Sequence, residues 1–432
     1  MSREIKESNV YWIGGIPKQW KLVPTKRVLR GTKSIVGSEV DNYERLALTM
    51  NGVIKRNKED NEGLQPEKFD NYQILRENEL VFKLIDLQNE KTSRVGLSPF
   101  TGIVSPAYIV LTNEQSDNRF YYYWFFDMYN RLVFNQMSDD GVRANLNVND
   151  LVNIPIPLIS LSEQKAIADF LDVKCAEIDE MISLQEKIIE ELKAYKQSVI
   201  TEAVTKGLNP EVPMKDSGVE WIGEIPEHWE MYRIKYNTFL KGRIGWQGLN
   251  SSDFIDEGYC LITGTDFDNK GGINWNTCYR ISKERFDEDE LLHIKNGDLL
   301  MTKDGTVGKM AYIKNLPEEA SLNSHLLIIR QTTEQIDNEF LYWVMLSNVF
   351  KRFCSIYQSG SIMSSISQST LGLFSCYCPT KSEQKAIADY LDNKCTEIDN
   401  LISIKLSKID SLNEYKKSII YEYVTGKKEV TE

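Results

Sequence analysis

Cysteine is scarce in this chain, with seven in 432 residues. The closest pair, Cys376 and Cys378, has the wrong spacing for a CxxC motif, so no disulfide framework is expected. Histidine is scarcer: His228, His293 and His325 are too scattered to suggest a metal site. No apolar run approaches the roughly 18 residues that a membrane span needs. The opening MSREIKESNVYW lacks the basic flank and hydrophobic stretch of a secretory signal, so a cytoplasmic protein without a membrane role is expected. Positive charge is not in excess. Lys and Arg number 51 against 63 Asp and Glu, a net charge of −12, which argues against broad nonspecific nucleic-acid binding but not against a local basic groove. Residues 21–155 carry 17 basic and 18 acidic side chains and residues 230–379 carry 15 and 18, so the acid is concentrated outside these two segments. What is present, 41% hydrophobic and 26% charged residues, is ordinary for a globular protein, and the length allows two or three domains.

The chain is written twice. KESNVYWIGGIPKQW at 6–20 returns as KDSGVEWIGEIPEHW at 215–229, and SEQKAIADFLDVKCAEIDEMIS at 162–183 returns as SEQKAIADYLDNKCTEIDNLIS at 382–403. A period of this length marks a duplicated domain pair, not a short-repeat solenoid. Residues 21–160 and 230–380 match poorly but share an outline. Each has strand-like runs (79–83 and 102–112; 298–303 and 324–331), an aromatic helical segment (120–135; 340–355) and a Gly/Ser/Asn-rich loop (138–149; 358–370). This alternation reads as an α/β or α+β domain in each copy.

The repeated segment from Ser162 to Lys206 contains no Pro or Gly. Ser162 is the expected N-cap, and Gly207 and Pro210 supply the stop. Positions spaced alternately by four and three place Leu171, Cys175, Ile178, Ile182, Ile189 and Leu192 on one stripe, and Leu391, Cys395, Ile398, Ile402, Ile409 and Leu412 on its copy. That period of 3.5 is a coiled-coil seam. Gln185 with Lys405, and Lys196 with Lys416, interrupt it at equivalent places; register-setting and exposed fraying would both give this pattern. About 45 residues make a rod of roughly 65–70 Å. The two rods are expected to pair antiparallel; the alternative is that each packs on its own globe or on a partner protein. Cys175 and Cys395 then read as buried thiols, not reactive ones. The WIGxIP elements flanked by Trp12 and Trp20, and by Trp221 and Trp229, read as anchors that fix each globe to the rods, with the C-terminal helix ending near the N-terminus. The expected architecture is α+β: two α/β domains separated by two long helices paired as an antiparallel coiled coil, in a pseudo-two-fold duplicated chain. Its parts are 1–160, first globe with anchor; 161–210, central helix; 211–380, second globe with anchor; and 381–432, C-terminal helix.

The two WIGxIP elements and the two SEQKAIAD(F/Y)LD segments, together with the duplicated plan across essentially the whole chain, resemble the specificity subunits of type I restriction–modification enzymes. The resemblance implies two target-recognition domains, each reading one half of a bipartite double-stranded DNA sequence, on helices that set the gap and dock two methyltransferase subunits. It implies adenine-N6 methylation with S-adenosylmethionine on those partners, and ATP- and Mg-dependent restriction where motor subunits join. It leaves open whether they do. This chain is expected to bind no cofactor and to have no catalysis of its own. It has no [DN]PP[FYW] tetrapeptide and no GxGxxG. Gly305-Thr-Val-Gly-Lys309 lacks phosphate-loop spacing and reads instead as a strand-connecting turn. Asp139-Asp140 and the 287–290 acidic run read as solvated faces.

Base reading needs Arg or Lys for guanine and Asn or Gln for adenine on loops near the groove, with positive charge for phosphates. In the first globe the candidates are Lys55, Arg56, Lys83, Arg94, Gln136, Arg143 and Asn145. In the second, the loop with Lys241, Arg243, Trp246 and Gln247, similar to one near the start of recognition domains in this family, ranks first. Lys303, Lys309, Asn323, His325, Gln358 and Ser361 follow. The competing functional readings are a non-enzymatic coiled-coil scaffold joining protein partners and an independent nuclease or methyltransferase.

Overall fold

A computed structural model describes residues 3–31, 33–58, 68–88, 92–137, 145–243, 249, 251–268, 270–357 and 365–430. It divides into two compact units, Met1–Glu186 with Leu406–Glu432, and Lys187–Lys405. Each unit therefore contains one globe and part of each long helix, which regroups the four consecutive parts expected from the sequence.

In the first unit, four antiparallel strands lie in the order Arg30–Gly31, Ile109–Thr112, Leu80–Phe82 and Val95–Leu97. A second sheet runs Gly52–Arg56, Arg45–Thr49, Gly102–Val104 and Gln73–Leu75, with one parallel pairing at Ile103 and Arg45. The second unit repeats the plan. Thr238–Lys241, Leu326–Gln331, Leu299–Thr302 and Met310–Tyr312 form the antiparallel sheet. Tyr279–Ile281, Tyr259–Ile262 and Ala320–Leu322 form the other, again with one parallel pairing, Cys260 beside Ala320.

Two expected runs are broken. Residues 102–112 split into strands of different sheets, because Ser105-Pro106 turns the chain and the Tyr108 amide donates to the Ser105 carbonyl (3.1 Å). The aromatic segment 120–135 ends its first helix, Asn118–Asn130, and restarts at Val133–Gln136 after Leu132 takes a left-handed φ of 56°. Its counterpart is likewise two helices, Asn338–Leu346 and Asn348–Tyr357. Apolar side chains of these helices close the core of each unit; Phe125 meets Phe82 edge to face at 4.9 Å, a geometry favoured by the ring quadrupoles.

The long helices are Leu161–Lys206 and Lys381–Val424. Their N-caps lie two residues before the expected serine. The Glu163 amide donates to Ser160 Oγ (3.2 Å), and Thr380 with Glu383 forms reciprocal bonds: the Thr380 amide donates to Glu383 Oε2 (3.0 Å) and the Glu383 amide to Thr380 Oγ1 (3.4 Å). The cap is set by where the preceding strand releases the chain, so Ser162 falls inside the first turn.

Within the first unit, Leu171, Cys175, Ile178 and Ile182 share a core with Leu412, Ile419 and Ile420, and Ile409 is half-buried. Phe170 lies 4.2 Å from Tyr423 and Lys416 pairs with Asp179 (2.6 Å), so one helix ascends as the other descends. Within the second unit, Leu391 and Cys395 pack with Val199, Ile200 and Val204, and Lys196 pairs with Asp399 (2.7 Å). Ile189 and Ile398 are buried there, Leu192 and Ile402 half-buried. The pairing is an antiparallel coiled coil. Both seam lysines thus bond to carboxylates on the facing helix, and Gln185 and Lys405 are half-buried. Burial pushes both the Cys175 and Cys395 thiols up to about 11, so little thiolate is present at neutral pH.

Each helix ends against an anchor. Gly207 and Gly426 adopt φ of 74° and 70°, a helix-terminating conformation that glycine takes without strain. A Cβ on Gly426 would lie 2.8 Å from the Trp20 ring, and one on Gly207 3.3 Å from Trp229. The last residues close on the first: the Tyr421 hydroxyl donates to the Ile13 carbonyl (3.3 Å) and Arg3 pairs with Glu429 (3.2 Å). The anchors are not equal, however. Trp12 is 8% exposed beneath Trp124, whereas Trp221 is 45% exposed, so of the second anchor's two tryptophans Trp229 alone is buried.

Candidate nucleic-acid interface

Both antiparallel sheets lead into a polar end. In the first unit Lys83 follows strand Leu80–Phe82, and its amide donates to the Arg94 carbonyl (3.0 Å) while its ammonium reaches Thr92 Oγ1 (3.1 Å). Burial, reinforced by the neighbouring Arg94 charge, pulls the Lys83 pKa below its ordinary value. Asn145 sits at the same place, its side-chain oxygen accepting from the Asp86 amide (2.7 Å). Three sequence candidates, Lys83, Arg94 and Asn145, are therefore brought together.

Arg94 is nevertheless corrected as a direct contact. It is 2% exposed, and its guanidinium donates inward to the Asp86 carbonyl (2.9 Å). It braces the end of the sheet and does not face solvent. Lys55 and Arg56 lie apart, on strand Gly52–Arg56 of the other sheet. Lys55 pairs with Glu44 (2.7 Å) and lies 5.2 Å over the Phe100 ring. Gln136 accepts from the Tyr11 hydroxyl (3.1 Å), beside the anchor. Arg143 lies outside the described residues.

In the second unit Lys303 continues strand Leu299–Thr302. Its amide donates to the His325 carbonyl (2.9 Å), and Asn323 Oδ1 accepts from the His325 amide (3.1 Å). Next to them the chain passes through Gly242, where a Cβ would meet the Leu326 carbonyl at 3.0 Å and Lys303 Nζ at 3.7 Å; glycine permits this approach. The structure thus gathers Lys241, Lys303, Asn323 and His325 at one end of the sheet.

Arg243 receives the same correction as Arg94. It is 1% exposed and donates to the Leu322 carbonyl (3.1 Å), Ser321 Oγ (3.1 Å) and Glu288 (3.2 Å). The acidic run 287–290 is likewise not a mere solvated face: Asp289 pairs with Lys241 (2.7 Å), Glu288 with Arg243 and Arg285. Much of the positive charge in the top-ranked loop is thereby spent internally. Lys309 is exposed at the opposite end of the Gly305–Lys309 turn, on a separate open groove shared with Lys270, Trp275 and Lys314. That turn joins two strands and opens no helix, so it lacks a phosphate loop's geometry. Trp246, Gln247, Gln358, Ser361 and the Asp139-Asp140 pair lie outside the described residues. Among the described residues no cluster of His, Cys, Asp and Glu could hold a metal ion, and no helix is long and apolar enough to cross a membrane.

Sequence reasoning missed Asp304, Thr92, Ser321 and the clamping role of 287–290. Asp304 adjoins Lys303 and could have been found there; the others depend on contacts far along the chain.

The family model for the type I restriction modification DNA specificity domain matches residues 29–194 and again 245–414. The chain belongs to this family. Among its relatives, the type I restriction enzyme MjaVIII specificity subunit of Methanocaldococcus jannaschii is 31% identical over 281 residues, 64% of this chain and 62% of that protein. The EcoKI specificity subunit of Escherichia coli is 27% identical over 235 residues, 49% of this chain and 44% of that protein. The chain thus matches less than two thirds of the length of either. A solved chain of a type I R-M system covers 96% of this chain and 99% of its own length at a TM-score of 0.72 and 15% identity. The HsdS subunit of Thermoanaerobacter tengcongensis covers 96% and 98% at 0.50 and 16%. These two likenesses concern the fold. In this specificity-domain chain each family match runs from a globe into its long helix, so the polar sheet ends fall inside the matched segments.

Proposed function

We propose that the chain is the sequence-specific DNA-binding subunit of a type I restriction–modification complex, with each unit reading one half of a bipartite duplex target. The observation that carries this is the doubled family match on two units that keep the four-stranded antiparallel sheet and the buried Trp20 or Trp229 joint while changing the side chains at the sheet ends. The paired helices set the gap between half-sites and receive two methyltransferase subunits. Adenine-N6 methylation belongs to those partners, with S-adenosylmethionine as methyl donor. Restriction, where motor subunits join, takes ATP and Mg there. The chain itself contributes recognition without chemistry or cofactor, in the cytoplasm. The few lysines at the sheet ends, Lys83 and Lys303 among them, are half-buried, which suits a reader that takes its charge-driven affinity partly from its partners, in line with its net charge of −12.

A gel-shift of the chain, with and without methyltransferase subunits, on a duplex library tests this. The expected result is enrichment of a split sequence by the assembled complex. Binding indifferent to sequence would overturn the proposal in favour of a protein-joining scaffold, and methylation by the isolated chain would overturn its non-catalytic part.

A further inference from the structure

The polar end of the second unit's sheet carries an imidazole–carboxylate pair held from several sides. The Lys303 amide donates to the His325 carbonyl and the Ile366 amide to the Lys303 carbonyl, both at 2.9 Å. The Asp304 backbone forms a bridge with Ser365, and the His325 amide donates to Asn323 Oδ1 (3.1 Å). On this fixed backbone His325 Nδ1 lies 3.3 Å from Asp304 Oδ2, and the His325 side chain remains 58% exposed. A carboxylate can only accept, so Nδ1 carries the hydrogen, and in the uncharged imidazole Nε2 is then a bare acceptor. In the major groove, hydrogen-bond donors come from adenine N6 and cytosine N4, whereas guanine and thymine offer acceptors.

We propose that His325 is a specificity-determining residue of the second unit: its Nε2 accepts a hydrogen bond from the exocyclic amino group of adenine or cytosine, and Asp304 is the positioning residue that fixes the tautomer. Lys303 beside it supplies charge to the phosphate backbone. This rests on the DNA-reading function proposed above.

The test uses the chain assembled with its methyltransferase subunits. Competition binding is measured against duplexes in which every position of both half-sites is substituted in turn. The unaltered complex should discriminate about 5- to 100-fold at each directly read position. His325→Ala should reduce that to within about threefold at one position of one half-site, leaving the other half unchanged. Asp304→Asn can turn its amide N–H toward Nδ1, place the hydrogen on Nε2 and shift the preference at that same position toward guanine or thymine. A merely structural role would not move the preference in this way. His325→Gln, which retains an acceptor oxygen, should keep part of the adenine or cytosine preference, and it stands in if the alanine variant does not assemble. Undiminished discrimination at every position in His325→Ala would overturn the assignment of His325. Absence of discrimination in the unaltered complex would overturn the DNA-reading function instead.

Discussion

The two units keep their joints and change their ends. In the first, the buried Gln164 accepts from the Asp117 amide (2.9 Å) and donates to the Ile159 carbonyl (3.0 Å). In the second, Gln384 accepts from the Asp337 amide (2.6 Å) and donates to the Pro379 carbonyl (2.9 Å). The same glutamine of the repeated segment thus ties the start of each long helix to the N-cap of each aromatic helix. Trp20 meets Phe120 edge to face at 6.5 Å and 84°, and Trp229 meets Phe340 at 6.4 Å and 84°. One joint survives a change of chemistry: Tyr123 donates to Asp172 (2.8 Å) where Trp343 donates to Asp392 (3.2 Å). Outward from these joints the side chains diverge, with Lys83, Thr92 and Asn145 in one unit and Lys303, Asp304, Asn323 and His325 in the other. Invariance where globe meets helix, and variation at the sheet ends, is what the proposed pair of readers on a common frame requires.

The largest expected break in the symmetry is at the first tryptophan of each anchor. Trp12→Ala removes a buried ring and should cost about 3–5 kcal/mol, while Trp221→Ala, at an exposed site, should cost less than about 1 kcal/mol; urea unfolding of the two variants measures the gap. Equal losses would show that the anchors are equivalent after all. Next come the glutamines. Gln164→Ala and Gln384→Ala each strand a half-buried amide and a carbonyl, and each should lose about 1–3 kcal/mol by the same measurement. Gln384 also bonds the Gln335 carbonyl (2.9 Å), so its loss should be the larger. The smallest effect concerns pH. Burial raises the pKa of Glu383, but the Thr380 and His228 hydrogen bonds outweigh it and hold the carboxyl below its ordinary 4.5. Its stabilisation is therefore present above that value and is lost as pH falls through the depressed one. Glu383→Gln should flatten the acid side of the stability profile, and an unchanged profile would remove Glu383 from the account.

The frame was legible because it rests on short-range periodicity: the 3.5-residue stripe through Leu171, Cys175 and Ile178 specifies its own buried face, and the duplication repeats it from Leu391. The ends were legible only in outline. Arg94 and Arg243 carry the residue type that contacts DNA, yet they are buried braces. For Arg243 the deciding partners, Ser321 and Leu322, lie 78 and 79 residues away, beyond any local pattern. Trp221 repeats the letter of Trp12 but not its burial, because the ring that covers Trp12 belongs to Trp124, in the segment where the copies differ. Ser162 is a good cap by type, but the strand before it ends early and leaves the role to Ser160.

In the proposed function, recognition is divided between the units while the frame is shared. The most direct measurement replaces residues 21–160 with the corresponding segment of another family member and maps methylated adenines in a host carrying the chimera and its methyltransferase. The predicted result is a change confined to one half of the methylated sequence, with the other half and the gap retained. A change in both halves, or in neither, would contradict it.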